Sequence, residues 1–424
     1  MNATETFKTV SMIGLGYIGL PTAAMFAARR IRVIGVDVNQ RAVDTINEGR
    51  IHIVEPELDM IVHSAVTQGF LRATTKPEPA DAFLIAVPTP FKGDHEPDVS
   101  YVKAAAESIA PVLRPGNLVV LESTSPVGTT EELVQWLAEA RPDLRFPVAG
   151  ASEVNVNVAY CPERVLPGHV VRELVENDRI IGGLTATCSE RAVALYRTFV
   201  QGELLITNAR TAEMCKLSEN SFRDVNIAFA NELSIICDKL DISVWELIRL
   251  TNRHPRVKIL QPGTGVGGHC IAVDPWFIVN KTPAEARLIR TAREVNDAKP
   301  QWVLDRAAAA VSRLCATPAQ RKEEQLTIAV LGLAFKPNID DLRESPALHV
   351  AEQLLKSTRA QMYFVEPNVS ALPRTLTDGA LVDVAGALER SDIVVVLVAH
   401  REFQDLAAKL LPHQIAIDAV GVLS

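Results

Sequence analysis

The chain has 424 residues, 48% of them apolar and 22% charged, with 43 basic and 51 acidic side chains and a formal charge of −8. That length makes room for two or three domains of ordinary globular composition. The acidic balance and the lack of an apolar run near the roughly 18 residues of a membrane span argue against nucleic acid and membranes as partners, though not against local anion sites.

Residues 1–8 lack the basic-then-apolar order of a secretory signal. Residues 8–13 read as a short strand. Gly14-Leu15-Gly16-Tyr17-Ile18-Gly19 follows at once, then a helical stretch and a second strand over 32–36 that ends at Asp37. This is one βαβ unit of dinucleotide-binding type, whose glycines allow a tight turn and close approach of a pyrophosphate to the helix N-terminus. Asp37 stands 18 residues past the third glycine, where a carboxylate accepts hydrogen bonds from the adenosine ribose. It also repels a 2′-phosphate, and residues 38–40 offer no compensating cation, so NAD is expected rather than NADP.

Apolar runs at 82–87, 117–121 and 157–160 each end in polar or proline-rich residues, the end of a doubly wound sheet that faces ligands. Thr89, Thr124 and Glu163 are candidates by that position, although loop chemistry accounts for any one taken singly. Residues 211–240 are continuously helical, with Thr211 as N-cap and Lys216, Asn220 and Arg223 on one face. A helix over 244–251 leads to the basic cluster Asn252-Arg253-His254-Pro255-Arg256-Val257. Next comes Pro262-Gly263-Thr264-Gly265-Val266-Gly267-Gly268-His269-Cys270-Ile271-Ala272-Val273-Asp274. Glycines let such a stretch turn and approach a ligand, with Cys270 at its end; taken alone it favours a tight turn followed by a buried thiol. Helices resume over 283–315 and a polar linker covers 316–325. Strands at 326–331, 361–365, 392–398 and 414–418 then mark a second Rossmann-like domain. It opens on Gly332-Leu333-Ala334-Phe335-Lys336-Pro337 without a third glycine, so a nucleotide other than a second NAD is expected there. The six cysteines (161, 188, 215, 237, 270 and 315) form no C-x-x-C pair and no metal-spaced cluster, which suggests reduced thiols in the cytoplasm and no zinc.

Four motifs make the chain resemble the UDP-sugar 6-dehydrogenases of the UDP-glucose/GDP-mannose dehydrogenase family over essentially its whole length. They are residues 14–19, Lys216-x-x-x-Asn220, Pro262-Gly263-x-Gly265-x-Gly267-Gly268-x-Cys270-x-x-x-Asp274, and Gly332-Leu333-Ala334-Phe335-Lys336 with Asp341-x-Arg343-Glu344-Ser345. The resemblance implies an α/β fold of two Rossmann-like doubly wound domains joined by a central helical domain with one long helix. The division would be 1–206 for NAD, 207–315 for dimerisation and the cysteine loop, and 316–424 for UDP. It implies a four-electron oxidation of a sugar CH2OH to a carboxylate with two NAD, giving a UDP-uronate for bacterial surface polysaccharide.

In that chemistry Cys270 adds to the C6 aldehyde, giving a thiohemiacetal and then a thioester. Lys216 handles protons and stabilises oxyanions beside Asn220, Asp274 orients water, and Glu163 and Thr124 assist. Positions matching the family's cofactor side are Gly14, Gly16, Tyr17, Ile18, Gly19, Asp37, Thr89, Thr124 and Arg343. Those matching its substrate side are Arg164, Val165, Lys216, Asn220, Arg223, His254, Arg256, Gly267, Phe335 and Lys336, with Arg256 reaching the partner subunit of a homodimer. Residues 160–168 and 252–257 are similar to the branch acting on UDP-N-acetylmannosamine; UDP-N-acetylglucosamine and UDP-glucose are the alternatives. Pro167 replaces an acid of the UDP-glucose enzymes, and Val420 stands where relatives often carry Lys or Arg, leaving that contact to backbone or absent. Two competing readings are a β-hydroxyacid dehydrogenase, which uses no thiol, and a non-catalytic UDP-sugar or NAD-binding regulator with an inert Cys270.

Overall fold

The computed structural model describes residues 7–424 except 54, 56, 149–152, 167, 269 and 317–320. Pro167, His269 and part of the expected linker thus lie outside the described residues. The chain forms two compact units, 1–219 and 220–424.

The first unit is built on an eight-stranded sheet. Its strands are β1 (Thr9–Ile13), β2 (Arg32–Val36), β3 (Leu71–Thr74) and β4 (Ala82–Ile85), then β7 (Leu118–Leu121), β8 (Asn157–Tyr160), β9 (Arg179–Gly183) and β10 (Leu204–Asn208). A small antiparallel hairpin, β5 (Phe91–Lys92) with β6 (Glu96–Pro97), follows β4. The order is β10-β9-β8-β7-β4-β1-β2-β3, parallel throughout except where β9 turns antiparallel to β8. Strands buried on both faces read as unbroken apolar runs. In β4, Ala82 and Leu84 enter the core on one face while Phe83 and Ile85 enter the core on the other. β7 divides likewise, Leu118 and Val120 against Val119 and Leu121. β3 and β10, at the two edges, carry exposed residues, β10 having no buried one, and do not announce themselves as apolar runs. The chain passes from β10 straight into the long helix Ala209–Lys239, two residues earlier than the sequence suggested. Asn208, not Thr211, caps it: the Thr211 N–H donates to Asn208 Oδ1 at 2.9 Å.

The second unit carries a five-stranded parallel sheet, β13-β12-β11-β14-β15. Its members are β11 (Thr327–Leu331), β12 (Gln361–Val365), β13 (Ala380–Leu381), β14 (Ile393–Val396) and β15 (Ile415–Asp418). The helical text after the cysteine divides into Asp274–Lys281 and the 29-residue helix Arg287–Cys315. Val303, Ala307 and Ala310 of the latter join the core on one face of this sheet with the helix Pro346–Ser357. Pro300 inside this helix has no N–H to give the Asn296 carbonyl, and the glycine loop packs there.

Candidate active site

At the C-terminal end of β1 the backbone follows the glycine pattern closely. Gly14 has φ +91°, its N–H donates to Val36 O at 2.8 Å, and a Cβ there would lie 2.4 Å from Ala86 O. A Cβ on Gly19 would meet Gly14 O at 1.8 Å, so both glycines are demanded by the fold itself. Gly16 has nothing within 4 Å of that position, leaving its backbone open to a ligand. The helix Gly19–Ala28 begins without a side-chain cap, but Leu20 N–H donates to Gly16 O and Thr22 N–H to Ile18 O, each at 3.1 Å, and Pro21 has no N–H, so the open backbone of the turn at Gly16 is what a pyrophosphate can approach. Asp37 Oδ2 accepts from Leu15 N–H at 2.9 Å and Oδ1 from Asn39 N–H at 2.8 Å, which fixes the half-buried carboxylate beside the turn. This set of residues fits NAD. Tyr17 is exposed and Ile18 half-buried on the same turn.

Next to it in the sheet, Thr89 Oγ1 donates to Thr124 O at 2.5 Å, joining the loops after β4 and β7. Glu163, after β8, is buried: Oε2 accepts from Arg179 at 3.0 Å and Oε1 from Arg164 N–H at 2.8 Å. The Arg164 guanidinium pairs with Glu219 on the long helix at 2.7 Å and donates to Asp178 O at 3.1 Å. Val165 is half-buried. Glu219 was not singled out from sequence, yet it lies three residues after Lys216 in the same polar stripe, which is a usable signal. Glu122 and Arg179, also missed, had a weaker one: each is a charge abutting an apolar strand.

On the long helix Lys216 is half-buried, Asn220 buried and Arg223 exposed. In the second unit the Asn220 amide donates to Asp274 Oδ2, and Asp274 is 3% exposed at the first turn of the helix Asp274–Lys281. Cys270 is exposed, and its carbonyl accepts from Asp274 N–H at 2.9 Å and Val273 N–H at 3.0 Å. The buried-thiol reading of this stretch is therefore excluded.

The loop leading to Cys270 is clamped. Gly263 N–H donates to Asn231 Oδ1 at 2.8 Å and Thr264 Oγ1 to Leu397 O at 2.7 Å. A Cβ on Gly267 would lie 2.4 Å from Glu344 O and 3.2 Å from the Phe335 Cβ. Gly268, at φ +81°, sits against the Phe335 ring and donates to Glu344 O at 3.3 Å. Glu344 itself is held at φ +50°, a region unfavourable to a non-glycine residue. The loop glycines thus serve close packing on residues 335–346 as well as any ligand. Lys336 is half-buried with Nζ 5.8 Å from the Phe335 ring centre, and Arg343 pairs with Asp341 at 2.7 Å. His254 and Arg256 are exposed.

The second Rossmann-like half repeats the turn but seals it. Gly332 again has φ +91° and donates to Val365 O at 2.8 Å. Where the first half has the open Gly16, this one has buried Ala334. Glu366, at the end of β12, accepts from Leu333 N–H at 2.7 Å and Ala334 N–H at 3.0 Å, and contacts buried His400 at 3.0 Å. Burial alone would raise its carboxyl; the His400 and Leu333 hydrogen bonds outweigh that and hold it at about 2. Val420 N–H is already donated to Asp418 at 2.9 Å.

Fold and site together are those of a dinucleotide-dependent oxidoreductase acting on a nucleotide-linked substrate. Profiles of three domains of one family match in order: its NAD-binding domain at residues 8–200, its central domain at 210–298 and its UDP-binding domain at 329–424. The chain belongs to the UDP-glucose/GDP-mannose dehydrogenase family and is an NAD-dependent, UDP-binding enzyme. A UDP-N-acetyl-D-mannosamine dehydrogenase of Yersinia pestis is 62% identical over 418 residues, 98% of this chain and 99% of that one. An NDP-N-acetyl-D-galactosaminuronic acid dehydrogenase of Ralstonia nicotianae is 61% identical over 418 residues, 99% and 97% of the two chains. Among solved structures, a UDP-D-ManNAc dehydrogenase from Pyrococcus horikoshii superposes with TM-score 0.86 at 38% identity, over 98% of this chain and 96% of that one. No helix among the described residues is long and apolar enough to cross a membrane.

Proposed function

We propose that the chain oxidises C6 of UDP-N-acetyl-D-mannosamine to the uronate, for bacterial surface polysaccharide, as a cytoplasmic homodimer. The observation that carries the substrate is the 62% identity, nearly end to end, with an enzyme named for that sugar. In this reading residues 1–206 hold NAD, 207–315 supply the dimer contact and the cysteine loop, and 316–424 contact UDP. Bound NAD supplies a hydride acceptor in each of two oxidations, four electrons in all.

In the first, the C6 hydroxyl loses a proton and a hydride and becomes an aldehyde. Lys216 and Asn220, with Thr124 and Glu163, steady the oxygen and its proton. The Cys270 thiol then adds across the aldehyde, forming a C–S bond and a hydroxyl at C6. Loss of the hydroxyl proton and a second hydride leaves a thioester. Water adds to it, the C–S bond breaks, and the uronate and the thiol are released. Asp274, held by Asn220, orients that water. Arg164, Val165, Arg223, His254, Gly267, Phe335 and Lys336 contact the UDP-sugar, Arg256 contacts it from the partner subunit, and Arg343 reaches NAD.

The exposure of Phe222, Phe229 and Ile236, seven residues apart on the long helix, supports the dimer. NADH formation and product mass with UDP-N-acetylmannosamine, UDP-N-acetylglucosamine, UDP-N-acetylgalactosamine and UDP-glucose test the reading. The expected result is two NADH per UDP-N-acetylmannosamine, and no uronate from Cys270→Ser. Preference for UDP-glucose would overturn the substrate, and undiminished uronate from Cys270→Ser the thioester. The Ralstonia relative makes a galacto sugar the second reading.

A further inference from the structure

Behind Glu163 the first unit buries ionisable groups that this chemistry does not use. Glu122 follows β7, Cys161 follows β8, Arg179 opens β9, and Tyr196 ends the helix Ala186–Tyr196. Arg179 donates Nη2 to Glu163 at 3.0 Å and Nη1 to Cys161 Sγ at 3.8 Å. Its guanidinium lies 4.8 Å from the Tyr196 ring centre and 5.5 Å from that of Phe199. The Tyr196 hydroxyl donates to Glu122 Oε1 at 2.5 Å, and Glu122 Oε2 has no partner among the described residues.

The charge count is short. Burial pushes the Cys161 thiol up to about 12 and raises the Tyr196 phenol, so both stay neutral. One guanidinium remains for two carboxylates. Glu163 has the Arg179 hydrogen bond and a backbone N–H, whereas Glu122 has one phenol. The proton therefore belongs on Glu122: burial lifts it to about 7 against the pull of Arg179, and the Glu163 charge acts in the same direction as burial.

We propose that Glu122 is a positioning residue: by carrying a proton while Glu163 carries the charge, it leaves Arg179 to Glu163 alone and fixes that carboxylate. Ionising Glu122 places a second negative charge in the buried cluster, divides Arg179 between two carboxylates and loosens Glu163. This rests on the reading of Glu163 as part of the reacting centre.

Glu122→Gln in the full chain keeps the shape and the acceptor for Tyr196 but cannot ionise. Its first readout is melting temperature from about pH 4.5 to about pH 9, beside wild type. A folded value raised from 4.5 to about 7 means stability fully present below 4.5 and lost as pH rises from there through about 7, so wild type should fall away from the variant across that window and run parallel to it above. Curves parallel across that window would overturn the protonated Glu122. The second readout is kcat and KM for UDP-N-acetylmannosamine over the same range. The variant-to-wild-type kcat ratio should rise about threefold or more with pH while the KM ratio stays level; a flat kcat ratio overturns the positioning role even where the melts diverge. Glu163→Gln separates the two ideas: wild-type turnover from it sinks the role of Glu163, and the melts still report on Glu122.

Discussion

Two glycines three residues apart, Gly16 before the first helix and Gly19 at its start, do different work. Gly19 is crowded by Gly14 O, whereas Gly16 faces open space. Gly19→Ala is therefore expected to lower the melting temperature, because the clash is with backbone and no side chain can yield. Gly16→Ala should leave melting unchanged and weaken NAD binding by about tenfold or more, the loss of roughly 1.4 kcal/mol of close contact. Calorimetry of NAD binding and a thermal melt on both variants check this; NAD affinity that survives in Gly16→Ala would remove the pyrophosphate from that turn. The same contrast explains the second domain, where Ala334 is buried and Glu366 is enclosed by His400 and two backbone N–H groups. A carboxylate in that state has no exposed oxygen for a ribose.

Two long helices of the second unit meet through polar groups where apolar ones would pack. Asp224 pairs with Arg293 at 2.6 Å and accepts from Asn296 at 2.8 Å, and Asn231 donates to Asn296 at 2.9 Å. Asn231 then turns its oxygen to Gly263 of the cysteine loop, so the seam anchors that loop as well as the helices. Lys299, 1% exposed, donates to Ser234 Oγ at 2.6 Å and stands 3.6 Å from the Trp302 ring centre. Burial lowers its ammonium to about 8, against a weaker upward pull from Asp238. Between about 8 and the unfolded value of 10.5 the unfolded chain binds more protons, so this residue's contribution rises with pH and is lost as pH falls through 8. Lys299→Met should therefore be more stable than wild type at pH 7, with the difference shrinking towards about pH 10. Chemical denaturation at several pH values measures it, and a difference independent of pH would mean that buried Lys299 keeps the protonation it has in the unfolded chain.

At the scale of the assembly, the exposed heptad of Phe222, Phe229 and Ile236, continued by Leu240, makes a concrete demand. Phe229→Asp should turn the proposed dimer into a monomer by sedimentation velocity, since a buried unpaired carboxylate costs more than one contact contributes. If Arg256 serves the partner's site, Arg256→Ala and Cys270→Ser should each be nearly inactive alone. Unfolded and refolded together, they should recover activity, because a mixed dimer holds one site with both native residues. A mixture as inactive as its components would put Arg256 in its own subunit's chemistry.

The amino-acid sequence by itself determined what depends on local pattern. The glycine turn ending in Asp37, the apolar strands, the long helix with its Lys216 and Asn220 stripe, and the glycine approach to Cys270 all follow from backbone period and missing side chains within a few residues. Edge strands β3 and β10 escaped because exposed residues interrupt their apolar pattern, and the Asn208 cap because a strand runs directly into the helix. Tertiary structure alone decided which charges meet. Glu122 and Tyr196 lie 74 positions apart, Asn231 and Gly263 lie 32 apart, and Glu163 finds Arg179 only because β9 returns antiparallel beside β8. A buried group's protonation depends on the neighbours that topology brings to it, and no local spacing encodes those neighbours.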